Sequence, residues 1–231
     1  MQSRAYKSFQ ESLRIVESLL RIEKRYRQPT PTHLRKRALG IKGGSAVLMV
    51  AAFENYLKEL LEEYLQPLTA IPLQFNPTRL PDKTRQANII GAIKSVEKRK
   101  QRSKQDRIRA FEDIAKLIGN QVLIPSAFTE MSRGNPSPDR VRDLFGDLGI
   151  PNVFEAIKPT FEKRWGAPVA STFIRDTLDT IVSTRHVVAH SASGLDLSRT
   201  DLWDWLKFLR CSGLALDIEL KKRVKGILKL R

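Results

Sequence analysis

The sequence contains one cysteine, Cys211, and only three histidines among 231 residues. A single cysteine excludes an internal disulfide framework and any zinc site built from several thiolates. Cys211 lies in an apolar helical pattern, which predicts a buried thiol. No apolar run approaches the ~18 residues of a membrane helix, and the charged amino terminus lacks the apolar core of a signal peptide. We therefore expect a cytoplasmic protein that does not insert into a membrane.

Strand patterns are also missing from this sequence. No segment alternates regularly between apolar and polar residues, and no internal repeat is visible. Apolar residues make up 41% of the chain, which is enough for a substantial core. They recur at helical spacing along most of its length, so we predict an all-α bundle with about seven to nine helices.

The helices are predicted to form a single domain over residues 1–231. Prolines near 28–33 end a first helix over 3–27, and a buried helix follows that contains eight consecutive apolar residues, 46–53. Further start signals are Ser137 before Pro138 and the capping pattern from Ser198 to Asp201. The predicted parts are an amino-terminal helix and linker (1–44), a core (45–218) with a basic insertion around 94–109, and a basic tail (219–231).

Positive charge is in large excess, because 41 Lys and Arg face 25 Asp and Glu, a formal net charge of +16. Such an excess indicates a polyanionic partner, either nucleic acid or an anionic membrane surface. The run at 94–109 has eight basic residues against two acidic ones. It is either a solvated connection between helices or an RNA-binding segment, or both. The predicted RNA contacts are Lys98, Arg99, Lys100, Arg102, Lys104 and Arg107.

Two of the three histidines, His186 and His190, lie in the stretch STRHVVAHSASG at 183–194. Residues four apart share a helix face and could bind a metal ion, but HVVAH lacks the glutamate of the H-E-x-x-H pattern and no third ligand lies nearby. The glycine-rich GIKGGS at 40–45 lacks the Gly-Lys-Ser/Thr order of a phosphate loop. We therefore predict neither a metal nor another cofactor.

Arg185 and His190 suit phosphodiester cleavage. A guanidinium binds phosphate and stabilises the charge on its oxygens, and an imidazole transfers protons near neutral pH. RNA carries its own 2′-hydroxyl nucleophile, so no metal is required. On an unbroken helix the two residues are ~140° apart. Either the helix ends between them, as Ser191 and Gly194 suggest, or two chains share one site. The alternative to catalysis is that both residues merely interact with the helix dipole.

Glu54 directly follows the eight apolar residues of the buried helix. A carboxylate at such a position needs a partner unless it reaches solvent. We expect either a solvated side chain at the edge of the core or an ion pair, with Arg185 as the named partner.

These stretches together resemble one family. RHVVAH (185–190) has the form of the R-x4–6-H motif of HEPN domains. The segments LMVAAFENYLKELLEEYL, NPSPDRVRDLFGDLGI and AHSASGLDLSRTDLWDWLKFL are similar to parts of the RiboL-PSP-HEPN branch, over roughly residues 45–218. The sequence departs from the common pattern at two places, since His186 replaces a small polar residue and Ser191 replaces a frequent glycine.

The resemblance implies a HEPN-like helical bundle with additional helices that forms a homodimer with a composite active site. It implies a metal-independent endoribonuclease with a toxin–antitoxin or phage-defence role, and an antitoxin or other regulatory protein as a further partner. Arg185 would bind phosphate, His190 would transfer protons, Glu54 would be the accompanying acidic residue, and the role of His186 is open. The alternative is a non-catalytic HEPN-like module that binds nucleic acid or a protein.

Overall fold

The computed structural model describes residues 2–26, 30–70, 82–97, 103–119, 123, 134–191 and 197–229. Within these ranges the chain has eight α-helices and no β-strand, which confirms the all-α prediction. The helices are α1 (Arg4–Lys24), α2 (Thr32–Leu65), α3 (Asp82–Glu97), α4 (Lys104–Gly119), α5 (Pro138–Asp147), α6 (Val153–Trp165), α7 (Phe173–Ser191) and α8 (Arg199–Lys229). A short 3-10 helix, Gln66–Ala70, continues from α2. None of the described helices has an apolar stretch that could span a bilayer.

Two helices, α5 and α8, begin at the capping residues that the sequence predicts. The Ser137 side chain accepts a hydrogen bond from the Arg140 amide at the start of α5, with Pro138 in the first position. At the start of α8 the Asp201 amide donates to Ser198 Oγ (3.0 Å), and the Ser198 amide donates to Asp201 Oδ2 (3.3 Å). This reciprocal pair is a capping box.

The second helix begins earlier than its sequence suggests. It starts at Thr32, directly after Pro31, so residues 32–44 are helical where we predicted a linker. Three glycines lie in this stretch, and each lowers intrinsic helix propensity by roughly 1 kcal/mol relative to alanine. Tertiary packing overrides that preference, and Gly43 packs closely against Val188 of α7. The predicted break between α3 and α4 falls at 98–102, outside the described residues.

The main core lies between α1, α2 and α8. Phe9 stacks on Tyr56 with ring centroids 4.7 Å apart, and the Tyr56 hydroxyl donates to the Gly213 carbonyl (2.7 Å). A Cβ at residue 213 would lie 2.8 Å from Phe9 Cε1, so only glycine allows this close approach. Cys211 is buried beside it, as predicted, and burial raises the pKa of its thiol.

Aromatic packing fixes α6 and α7 against α8. The ring of Phe161 lies 6.1 Å from Phe173 and 5.6 Å from Phe208, centroid to centroid. The buried side chains of α7 all come from its first half and are Ile174, Leu178, Ile181 and Val182. From 183 to 190 every side chain is exposed or half-buried. The second half of α7 therefore contributes no fully buried side chain at residues 183–190.

Helices α3 and α4 pack on each other through a small separate core of Ala92, Val96 and Ile114. The hydroxyl of Thr84 donates to the Asp147 carbonyl and so ties α3 to the end of α5. The α3–α4 pair is thus an appendage with its own apolar contacts. It corresponds to the part of the chain where the sequence predicts a basic insertion.

Candidate active site

Helix α7 runs without interruption from Phe173 to Ser191 and contains the whole RHVVAH motif. The expectation that the helix ends between Arg185 and His190 is therefore wrong, because Ser191 still continues the helix. Five positions on a regular helix rotate by about 500°, which leaves the two side chains ~140° apart. Within one chain they cannot converge on a single atom.

Arg185 is half-buried, and its Nε atom is inaccessible to solvent. Among the described residues this nitrogen has no hydrogen-bond acceptor, and no carboxylate forms an ion pair with the guanidinium. Most buried polar groups in proteins find a partner, and an exception in a native fold calls for an explanation such as a functional role. A guanidinium in this state can accept an anion without first breaking an internal contact.

His190 and His186 lie on the exposed side of the same helix end. Their ring centroids are 4.4 Å apart and the ring planes are inclined by 57°. Both side chains are exposed, and neither imidazole forms a hydrogen bond with another described residue. The two rings therefore form an accessible pair at the carboxyl-terminal end of α7.

Glu54 is half-buried on α2. No ion pair joins Glu54 to Arg185 within the chain. The alternative of a Glu54–Arg185 ion pair, which we considered from the sequence, is therefore wrong. The other expectation, a carboxylate at the edge of the core with access to solvent, agrees with its partial exposure. Spacing along the chain cannot reveal which cation a carboxylate meets, because such pairs depend on how helices pack.

Gly43 is a structural residue of this region that the sequence analysis did not identify. A Cβ at this position would lie 3.1 Å from Val188 Cγ1, so the glycine lets α2 approach the motif helix closely. The neighbouring Gly44 has nothing within 4 Å of such a Cβ. The glycine-rich GIKGGS stretch was the available signal, but within it only Gly43 makes such a close approach.

A buried ion cluster anchors the chain on the other side of residues 192–196. Glu23 at the end of α1 is 0% exposed, and Arg199 Nε donates to its Oε2 atom (2.6 Å). Lys42 Nζ lies 3.9 Å from Glu23 Oε1 and donates to the Leu197 carbonyl (2.9 Å). These contacts fix the start of α8 against α1 and α2. No sequence pattern could have found them, since Glu23 and Arg199 are 176 positions apart.

The predicted RNA-binding residues fall into two groups. Lys104 and Arg107 are exposed on α4, at the surface of the appendage. Lys98, Arg99, Lys100 and Arg102 lie outside the described residues. In the part of the chain that the structure describes, no three His, Cys, Asp or Glu side chains come together as a metal site.

Comparison with known protein families gives a match over most of the chain. The family model RiboL-PSP-HEPN matches residues 10–222, which covers nearly all of the chain and every residue of the candidate site. Neither a curated protein nor a solved structure matches the chain. The match also extends beyond the 45–218 region of the sequence resemblance, into α1. On this evidence the chain belongs to the RiboL-PSP-HEPN family.

Proposed function

We propose that this protein is a metal-independent endoribonuclease that acts as a homodimer. The observation that carries the proposal is the state of Arg185, which occupies the arginine position of the HEPN motif. Its Nε atom is buried and has no acceptor among the described residues. A phosphate would bind the terminal nitrogens of this guanidinium, which pair with no described carboxylate. Membership of a family whose superfamily is often associated with RNases supports the same reading.

The reaction needs a base, an acid and a charge-stabilising group. The 2′-hydroxyl of the substrate attacks the adjacent phosphorus while one imidazole removes its proton, and the bond from phosphorus to the 5′-oxygen breaks. A second imidazole protonates that leaving oxygen, which gives a 2′,3′-cyclic phosphate and a free 5′-hydroxyl. Arg185 stabilises the charge on the phosphoryl oxygens. In the proposed dimer the two imidazoles are His190 and His190 of the partner subunit.

Two features support a dimer in which the two motifs face each other. The ~140° separation of Arg185 and His190 on an unbroken helix prevents one chain from completing the site alone. In addition, Leu39 on α2, four positions before Gly43, and Val187 on α7 are each more than 40% exposed. Exposed apolar residues on two adjoining helices are a common property of protein interfaces. We propose that this region, which includes Glu54, forms the dimer contact.

The charge distribution supports RNA as the substrate. Lys104 and Arg107 are exposed on the appendage, and the chain has a formal net charge of +16. Phosphate contacts by such residues provide affinity that does not depend on sequence. We propose that the protein acts in the cytoplasm, in a toxin–antitoxin system or in defence against phage, where an antitoxin or other regulatory protein would control it.

The proposal is tested with purified protein, labelled RNA and EDTA. We expect cleavage that leaves 2′,3′-cyclic phosphate ends. Arg185→Ala and His190→Ala should each abolish it, because each removes a group that acts in the transition state, while the mass in solution remains that of a dimer. Arg175→Ala is the matched control, since Arg175 is exposed on the same helix outside the motif. Full activity in both motif variants would overturn the assignment.

Mixing the two inactive variants tests the composite site. A heterodimer of Arg185→Ala and His190→Ala chains retains one Arg185 and one of the two His190 imidazoles in the shared cleft. One of the two proton transfers then keeps its catalyst, so we expect a small fraction of the wild-type cleavage rate to return. If each chain had a complete site of its own, the mixture would remain inactive. If wild-type protein binds RNA with steep salt dependence but leaves it intact, the protein is a non-catalytic nucleic-acid-binding module.

A further inference from the structure

We propose that His186 and His190 form a chelating site for a divalent transition-metal ion such as Zn²⁺, and that this ion inhibits the protein. The site is a side-chain pair on the exposed carboxyl-terminal end of α7. Its inhibitory role rests on the proposed function, because the ion would occupy the His190 nitrogen that transfers protons. The binding itself does not depend on that function.

The distance between the rings fits a shared ion. Imidazole nitrogen binds Zn²⁺ at about 2.0–2.1 Å, which puts the ion about 3.2 Å from each ring centroid. Two rings that meet at the ion near a right angle then have centroids about 4.5 Å apart, and a tetrahedral angle requires about 5.2 Å. The observed separation is 4.4 Å with the planes inclined by 57°. The observed centroid distance is therefore close to the value for the smaller angle.

Nothing among the described residues competes for this pair. Both imidazoles are exposed, and neither is hydrogen-bonded to another described side chain or backbone group. Histidines four apart on a continuous helix stay on one face, so the helix that runs to Ser191 holds the two ligands together. This continuity was not known from the sequence, where a break after Arg185 would have separated them.

The end of the helix also favours a cation. α7 ends at Ser191, so the partial negative charge of its last carbonyls lies next to His190. Asp179 is exposed two turns before His186 on approximately the same face. Imidazole nitrogens suit Cu²⁺, Ni²⁺ and Zn²⁺ rather than the hard ions Mg²⁺ and Ca²⁺, which prefer oxygen.

Among the described residues no third ligand joins the pair, and this limits the kind of site. This argues against a closed structural zinc site and against a catalytic centre of the H-E-x-x-H kind, both of which need further protein ligands. A two-ligand site leaves positions for water or for the same histidine pair of a second chain. An ion in such a site exchanges readily with solvent. An ion that binds His190 reversibly would act as a reversible inhibitor.

Metal binding is measured first, by calorimetric titration of ZnCl₂ into the Arg185→Ala protein, in which cleavage is already absent by design. We expect saturable binding that becomes at least about 10-fold weaker when His186→Ala or His190→Ala is added. His33→Ala is the matched control, because His33 is the third histidine, exposed on α2 and outside the site. Equal affinity in all variants, or no saturable binding to the parent, would overturn the proposal.

Inhibition is then measured as the ratio of RNA cleavage rates with EDTA and with ZnCl₂. We expect Zn²⁺ and Cu²⁺ to suppress cleavage by the wild-type and His33→Ala proteins, and Mg²⁺ to leave it unchanged. His186→Ala should lose most of this suppression, whatever its own rate in EDTA. Zn²⁺ binding without suppression would overturn the inhibitory role and leave the ribonuclease intact. Zn²⁺ binding by a protein that never cleaves RNA would overturn the ribonuclease and leave the metal site.

Discussion

Arg185 and Arg199 lie on either side of residues 192–196 and are held in opposite ways. Arg199 donates from Nε to the Glu23 carboxylate and from a terminal nitrogen to the Glu23 and Tyr26 carbonyls, at 3.0 and 3.1 Å. Arg185 has a buried Nε without an acceptor among the described residues. Arg199 thus binds three acceptors of the fold, whereas Arg185 pairs with no described carboxylate.

The largest expected effect concerns the structural arginine. Arg199→Ala leaves the Glu23 carboxylate, which is 0% exposed, with only the more distant Lys42. Loss of one partner of a buried pair typically costs about 3–5 kcal/mol. We therefore expect urea unfolding at a much lower midpoint than wild type, whereas Arg185→Ala should change stability by less than about 1 kcal/mol. Equal losses in the two variants would remove the distinction between the two arginines.

Asp217 is a second buried carboxylate with a hydrogen-bond partner, and this partner allows a test of stability at alkaline pH. Asp217 is 1% exposed, and the Tyr64 hydroxyl donates to its Oδ1 atom (2.9 Å). Burial and this hydrogen bond raise the pKa of Tyr64 above its usual value of 10. Above pH 10 the unfolded chain loses the tyrosine proton before the folded protein does, so the free energy of unfolding falls as pH rises.

The check is chemical denaturation between pH 8 and pH 11. Tyr64→Phe should be less stable than wild type by about 1.5 kcal/mol at pH 8, because it removes a hydrogen bond to a charged group. It should lose less stability than wild type as pH rises through this interval. Tyr26→Phe is the control, since the structure shows no hydrogen bond from Tyr26 to Asp217. An unchanged alkaline slope in Tyr64→Phe would contradict the expectation.

The smallest effect concerns the glycines beneath the motif helix. Gly44→Ala should stabilise the protein by roughly 0.5–1 kcal/mol, because an alanine has higher helix propensity and its Cβ meets nothing within 4 Å. Gly43→Ala should gain less or lose stability, because its Cβ would lie 3.1 Å from Val188. Thermal unfolding of the two variants measures the difference. Equal stabilisation would show that the close approach of α2 to the motif helix is not tight.

The predictable parts of the fold depend on short-range interactions. The caps at Ser137 and Ser198 bond to groups three residues away, so their patterns are visible in the sequence. The start of α2 at Thr32 was missed, because its glycines have low helix propensity and only the contact with Val188 explains why one of them is suitable. The Glu54–Arg185 pair was predicted wrongly, because a pair between two helices requires their relative rotation.

The helical class and the excess of positive charge could be predicted from the sequence, because composition and periodicity carry that information. The resemblance to the RiboL-PSP-HEPN family was also visible in short stretches of sequence, and the family match agrees with it. Helix packing was needed to show that α7 continues through the motif, that the two imidazoles lie 4.4 Å apart, and that Arg199 rather than Arg185 forms a buried ion pair. These features depend on contacts between residues far apart in the chain, and such contacts exist only once the helices have packed.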